Sequence, residues 1–231
     1  MKVFAISDLH LSLTCNKPMN IFGPVWEGHF EQICKDWREK VKEDDVVLIA
    51  GDISWAMKLE DAIIDLREIG KLPGKIIITK GNHDYWWKSL QSIRNELPQN
   101  MFALQNDSIK FGNVVFCGTR GWTVSENGEY SSQDQKIFNR ELIRLELSLK
   151  DATNKLQEGD TLVCMIHYPP FNSKMEHSEF MKLFEKYNVK KVIYGHLHGK
   201  NCKALKYVKI NEIEYYLTSC DQVQNKLTQI L

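Results

Sequence analysis

Apolar residues fall into two alternating patterns along the chain. Val3 to Ile6, Val46 to Ala50, Lys75 to Thr79, Thr161 to Ile166 and Lys191 to Tyr194 are short apolar runs rich in branched residues, as expected of strands covered on both faces. Between the first two, Trp26, Phe30, Ile33, Trp37 and Val41 recur at spacings of three and four, which draws one apolar stripe along a helix. Leu59, Ala62, Ile63 and Leu66 repeat the pattern after the second run, and Trp86, Leu90, Ile93 and Leu97 after the third. Strand and helix therefore alternate from the start, predicting parallel strands joined by crossover helices.

The middle reads differently. Phe102 to Leu104, Ile109 to Phe111 and Val114 to Cys117 lie close together, the last two separated by Gly112-Asn113, a hairpin signal. A long helix is predicted from Ser132 to Leu156, with Phe138, Leu142, Leu145, Leu149, Ala152 and Leu156 on one stripe. After Tyr194 come two further strands, Ala204 to Ile210 and Ile213 to Thr218, turning at Asn211-Glu212. No repeat, low-complexity tract or Pro/Ser-rich linker interrupts this order, so the expectation is an α/β fold in one domain, residues 1–231.

Composition adds bounds. At 231 residues and 43% hydrophobic, the chain can bury a core without disulfide staples. Its six cysteines are scattered and form no Cys-x-x-Cys pair, which argues against a zinc ribbon or a redox motif and for reduced thiols in the cytoplasm. The opening Met1-Lys-Val-Phe-Ala-Ile is too short for a signal h-region. No segment approaches the roughly 18 consecutive apolar residues of a membrane span. A cytoplasmic protein with no membrane partner is expected. Thirty basic and thirty acidic residues balance to zero formal charge, so nothing global favours gripping a nucleic-acid backbone.

The candidate chemistry stands at the ends of the predicted parallel strands. Ser7-Asp8-Leu9-His10 comes after the first, Gly51-Asp52 after the second and Gly81-Asn82-His83-Asp84 after the third; His167 comes after the strand from Thr161, and Gly195-His196-Leu197-His198 after the strand from Lys191. Ligands bind at the carboxyl edge of α/β sheets, and five of the seven histidines stand there. Singly, each block is an ordinary strand-end turn. Together they collect carboxylates, imidazoles and one amide at one edge, a set that is costly to bury without a cation. Asp8, His10, Asp52, Asn82, His167, His196 and His198 exceed the four ligands typical of one zinc ion, whereas a two-metal site accommodates them. On an extended chain His196 and His198 face the same way, so each can serve one ion.

In this order, Asp-x-His, Gly-Asp, Gly-Asn-His-Asp, a later His and Gly-His-x-His resemble the signature of the calcineurin-like metallophosphoesterase superfamily, over Asp8 to His198. The resemblance implies a four-layer α/β/β/α sandwich with two central mixed sheets flanked by helices. It implies that Asp8, His10, Asp52 and His198 hold one metal, and Asp52, Asn82, His167 and His196 the other, with Asp52 bridging. His83 matches the superfamily's non-ligand histidine, which contacts the phosphoryl group or protonates the leaving oxygen, with Asp84 behind it fixing tautomer and orientation. A hydroxide between two cations is a good nucleophile at neutral pH, and the ions offset charge on the phosphoryl oxygens. Mixed N/O ligation suits Mn, Fe or Zn, with Mn or Fe favoured in the cell.

Gly51-Asp-Ile-Ser-Trp-Ala and Gly81-Asn-His-Asp depart from the blocks of the protein-phosphatase branch, which leaves hydrolysis of small phosphomonoesters or phosphodiesters as the expected reaction. A nuclease of the same superfamily is the nearest rival and needs a basic track; zero net charge and the absence of a long Lys/Arg run count against it, though a local basic patch stays open. A metal-free scaffold keeping the fold would not need every ligand position filled. Substrate contacts must come from elsewhere. Lys17 and Asn20 lie in the long Ser12 to Pro24 loop, and Gly118-Thr-Arg-Gly-Trp places Arg120 where it could fork onto a phosphate. Trp122 in the same turn reads equally as a stacking platform or core. Trp86 reads as core, Tyr85 or Trp87 as a candidate cleft rim, and His29 and His177 as surface or cap residues.

Overall fold

The computed structural model describes residues 1–231, and it sorts the alternate residues of each apolar run into two different cores. In β1 (Val3–Ile6), β2 (Val46–Ile49) and β3 (Lys75–Ile78), Phe4, Ile6, Val47, Ile49, Ile76 and Ile78 pack outward beneath helices. Val3, Ala5, Val46, Leu48 and Ile77 pack inward. The period of two puts successive side chains on opposite faces, and both faces are dry. The covering helices are α1 (His29–Lys40), α2 (Leu59–Gly70) and α3 (Leu90–Glu96), whose Ile33, Trp37, Leu66, Ile69 and Ile93 are buried. With β4 (Met101–Ala103) these strands form a parallel array, β1-β2-β3-β4.

A second sheet repeats the arrangement. It comprises β5 (Ser108–Phe111), β6 (Val114–Thr119), β7 (Thr161–Ile166), β8 (Lys191–Tyr194), β9 (Tyr207–Ile210) and β10 (Ile213–Leu217), in the order β5-β6-β7-β8-β10-β9. The inner four are parallel and the two edge strands antiparallel. Its outer face is covered by α4 (Ser132–Thr153) and α5 (Glu179–Lys186), through Phe138, Leu145, Leu149, Phe180 and Phe184. The inner faces of the two sheets meet in a third core that includes Leu48, Ile77, Phe116, Met165 and Ile193. The last strand, β11 (Thr228–Gln229), returns to the first sheet and pairs antiparallel to β1. The result is the expected four-layer order of helices, mixed sheet, mixed sheet, helices.

Several boundaries move for local reasons. Trp26 lies in a 3₁₀ turn, Pro24–Trp26, and Gly28 in the left-handed region (φ 55°) sets the start of α1 at His29. The stripe beginning at Trp86 becomes helical only at Leu90, where Ser89 caps α3 by accepting from Ser92 N; the Trp86 indole instead donates to Asp84. Leu156 packs against the core beyond the end of α4. The helix α5, capped by Ser178, and the two-residue β11 are additions to the predicted elements. Both hairpins turn where expected: Gly112 alone has positive φ, 56°, at the first central position of its turn, whereas Asn211 and Glu212 are both positive, at 49° and 63°, as a type I′ turn requires. No helix is long and apolar enough to cross a membrane.

Phe116 is fully buried at the centre of the inter-sheet layer. Phe116→Ala should destabilise the protein by about 3–5 kcal/mol, read as a lower urea midpoint at unchanged m-value.

Candidate metal centre

All five sequence blocks stand at the carboxyl ends of parallel strands, and the two sheets face each other with those ends at one edge. The first sheet supplies Asp8, His10, Asp52, Asn82 and His83; the second supplies His167, His196 and His198. Backbone bonds tie the turns side by side: Asp8 N donates to Gly51 O at 3.0 Å, His10 N to Asp52 O at 3.0 Å and Gly195 N to His167 O at 3.1 Å. Across the sheets, the His196 amide donates to both carboxylate oxygens of Asp8 at 3.1 Å, and Ser7 Oγ donates to Asp8 Oδ2 at 2.7 Å. Gly51 and Gly81 allow the turns to close: a Cβ at Gly51 would lie 2.7 Å from the Gly81 backbone and from His167 Nδ1.

Asp8, His10, Asp52 and His196 all have positive φ, between 47° and 69°. Non-glycine residues enter that region at a cost, and such strain concentrates at functional sites. Here Leu9 and Ile53, beside the strained residues, pack into the apolar core, while Asp8, His10 and Asp52 join the cluster. Ligand atoms of Asp8, His10 and His198 lie within 4.8 Å of one another, as do those of Asp8, Asp52 and His167. Asn82 Oδ1 sits 2.7 Å from His167 Nε2 and 2.9 Å from His196 Nδ1. All seven predicted ligands are therefore brought together.

The donor set fits cations. Asp52 Oδ1 accepts from His83 N at 2.7 Å, but Asp52 Oδ2 is buried with no hydrogen-bond partner, as are both ring nitrogens of His10. That oxygen lies 3.4 Å from His167 Nε2 and 3.9 Å from His10 Nε2, one imidazole from each predicted ion site. Buried polar atoms are ordinarily paired, and acids with imidazoles at this spacing are the ligands of first-row divalent metals.

Burial drives the titration of the cluster. It pushes the Asp8 carboxyl up, lowers His10 to about 3 and lowers His196 to about 4, which leaves neutral imidazoles, the form that ligates metal. His167 is the exception: burial pulls it down, but the adjacent Asp52 charge outweighs burial and raises it to about 9. The same contact holds Asp52 well below the usual carboxylate range despite its burial. A cation between Asp52 and His167 would replace that proton.

His83 packs its ring 4.6 Å from Trp55 and 5.6 Å from His10, and its Nδ1 is buried without a partner. Burial lowers its pKa. Asp84, expected behind that ring, does something else. Its carboxylate accepts from the amides of Asp52, Ile53, Ser54 and Gly81 and from the Trp86 indole, at 2.7 to 3.2 Å, and makes no hydrogen bond to the His83 imidazole. Adjacent residues in this turn point apart, so Asp84 braces the Asp52 turn while His83 faces the cluster. Asp84 is fully buried and raised to about 6, by burial and then by the Asp52 charge.

Arg120 does not join the cluster. Its guanidinium lies 3.5 Å from Glu141 and stacks 4.8 Å from the Trp122 ring, while its carbonyl accepts from the amides of His167 and Tyr168. Trp87 is buried, its indole donating to Gln105, which removes it from the rim; Tyr85 is exposed, 6.1 Å from His83. His29 bridges the Leu9 and Trp26 carbonyls, and His177 pairs with Glu185 at the surface. Lys17 lies 4.6 Å over Trp55. The sequence reading missed the rings that frame the imidazoles: Trp55 stacks on His10 at 4.7 Å, and Tyr168 lies 4.2 Å from His196. Tyr168, His196 and His198 also open onto a cavity of about 740 Å³ lined by Phe171, Met175 and Lys200.

A four-layer sandwich with acids and imidazoles gathered at one strand edge defines the metal-ligating α/β/β/α class. The calcineurin-like phosphoesterase family pattern matches residues 1–200, and the chain belongs to that family. No curated protein matches it in sequence. Solved structures share the fold: the phosphopantetheinyl hydrolase PptH of Mycobacterium tuberculosis at TM-score 0.57 and 15% identity, covering 100% of this chain and 95% of that one; TT1561 of Thermus thermophilus at 0.59 and 12%, covering 99% and 97%; and AQ665 of Aquifex aeolicus, a protein of unknown function, at 0.52 and 16%, covering 99% and 95%.

A Cβ at Gly81 would collide with the amide nitrogen and Oδ1 of Asp52. Gly81→Ala should therefore lower the metal bound per chain after Mn²⁺ exposure by at least half, measured by elemental analysis, with the circular dichroism spectrum unchanged.

Proposed function

We propose that the chain is a binuclear metal-dependent hydrolase of small phosphomonoesters or phosphodiesters. The observation that carries this reading is the buried, unpartnered Asp52 Oδ2 between His10 and His167. Asp8, His10, Asp52 and His198 would hold one ion, and Asp52, Asn82, His167 and His196 the other. Two bound divalent ions supply an activated water and neutralise charge on the phosphoryl oxygens.

The chain's own groups do the rest. Asp84 holds the amides of Asp52, Ile53 and Ser54 and so fixes the direction of the Asp52 carboxylate. Trp55 packs against the rings of His10 and His83 and limits their rotation. His83 is neutral at pH 7 because burial lowers its pKa; an arriving phosphoryl anion favours the imidazolium, which then hands its proton to the leaving oxygen. The organic part of the ester is accommodated by the cavity beside His196 and His198. Its lining mixes aromatic, apolar and lysine side chains, which suits a small organic phosphoester better than a nucleic-acid backbone.

Asp52→Asn should remove both ions and abolish hydrolysis of aryl phosphates by the Mn²⁺-loaded protein; metal content and turnover near wild type would refute the reading. His83→Ala should keep the metals and lower kcat by about 10² to 10⁴-fold, most for esters with poor leaving groups, checked with a series of aryl phosphates of graded leaving-group pKa.

A further inference from the structure

Apart from the metal centre, the structure gathers positive charge around a second, smaller cavity. Its volume is about 230 Å³, and its lining includes Lys80, Lys88, Arg120, Arg140 and Arg144 against a single carboxylate, Glu141. Five cations facing one anion leave an excess of four positive charges in a chain whose net charge is zero. Glu141 is fully buried and already shared. It accepts from Thr119 Oγ1 at 2.9 Å and Arg144 at 2.7 Å, and lies 3.5 Å from Arg120 and 3.8 Å from Arg140.

One carboxylate cannot satisfy three guanidinium groups, each of which carries five N–H donors. Arg120 Nε is buried with no partner. Like charges at this separation repel, and the repulsion is relieved most directly by an anion with several acceptor oxygens. The cavity is smaller than the about 300 to 1,000 Å³ of sites for drug-sized ligands, so it suits an oxyanion group and not a whole nucleoside.

The cavity adjoins the metal centre without sharing its ligands. Lys80 lies two residues before Asn82, and the Arg120 carbonyl holds the His167 amide at 3.0 Å. The Arg120 guanidinium stacks on Trp122, which lies 5.1 Å from Tyr168, which in turn lies 4.2 Å from His196. We propose that this cavity is a second anion site that binds a phosphate group, with Arg120, Arg140, Arg144 and Lys80 as its donors. The phosphate comes either from the far end of a doubly phosphorylated substrate or from free inorganic phosphate. Binding here does not depend on the hydrolytic reading above.

The test is calorimetric titration of the full chain with inorganic phosphate. The Asp52→Asn variant, deprived of the metal centre, should still bind one phosphate per chain; chelator-treated wild type serves the same purpose if that variant does not fold. Adding Arg140→Gln and Arg144→Gln to either background should weaken binding at least tenfold. The two sources separate in the metal-loaded enzyme. If the double arginine variant raises KM for an aryl bisphosphate tenfold and leaves KM for the aryl monophosphate unchanged, the site reads a substrate's second phosphate. If neither KM changes while phosphate affinity falls, the ligand is free phosphate. Absence of phosphate binding in both metal-deprived backgrounds, or equal affinity with and without the two arginines, overturns the proposal.

Discussion

The cost of burying three carboxylates within one cluster governs how this molecule is built. Asp8, Asp52 and Asp84 are all 1% exposed or less, and burying such groups unpaired is prohibitive. Each is met differently. Asp84 is surrounded by four amides and an indole N–H, Asp8 is met by a serine hydroxyl and the His196 amide, and Asp52 is left with one oxygen toward the imidazoles. Asp52 Oδ2 faces the His167 imidazole, whose proton its charge retains, and the buried His10, which is neutral; a cation replacing that proton would meet a carboxylate and imidazoles in the form that ligates it.

Packing makes this concentration possible. The parallel strands of both sheets end at one edge, and the inter-sheet core of Leu48, Phe116, Met165 and their neighbours holds those ends in register. The strained turns at Asp8, His10, Asp52 and His196 are sustained by the backbone bonds between them. Glycines at 51 and 81 let the turns approach closely enough for those bonds to form. A Cβ added at either glycine would drive the turns apart.

Much of this was legible in the sequence because period and position carry it. Runs such as Val46 to Ile49 announce strands buried on both faces, and the chemistry directly after each run marks the shared edge. Local pattern was silent where a contact is made by distant segments. The two-residue β11 has no period to read, and α5 is only eight residues long. The stripe from Trp86 looked helical because it counts correctly, but a hydrogen bond to Asp84 holds that residue outside the helix. Asp84 itself was placed by adjacency to His83, and adjacency in a tight turn says little about where two side chains point. Trp55 and Tyr168 stand in the same turns as Asp52 and His167, but an aromatic residue beside a ligand does not reveal by its position alone which imidazole its ring will face.

The ligand set is divided between the sheets, with Asp8, His10, Asp52 and Asn82 on one side and His167, His196 and His198 on the other. Any ion shared across that division acts as a clasp on the sandwich. A ligand that binds only the assembled form adds stability in proportion to the logarithm of its concentration, so the resistance of the whole fold to unfolding would track the supply of metal around it.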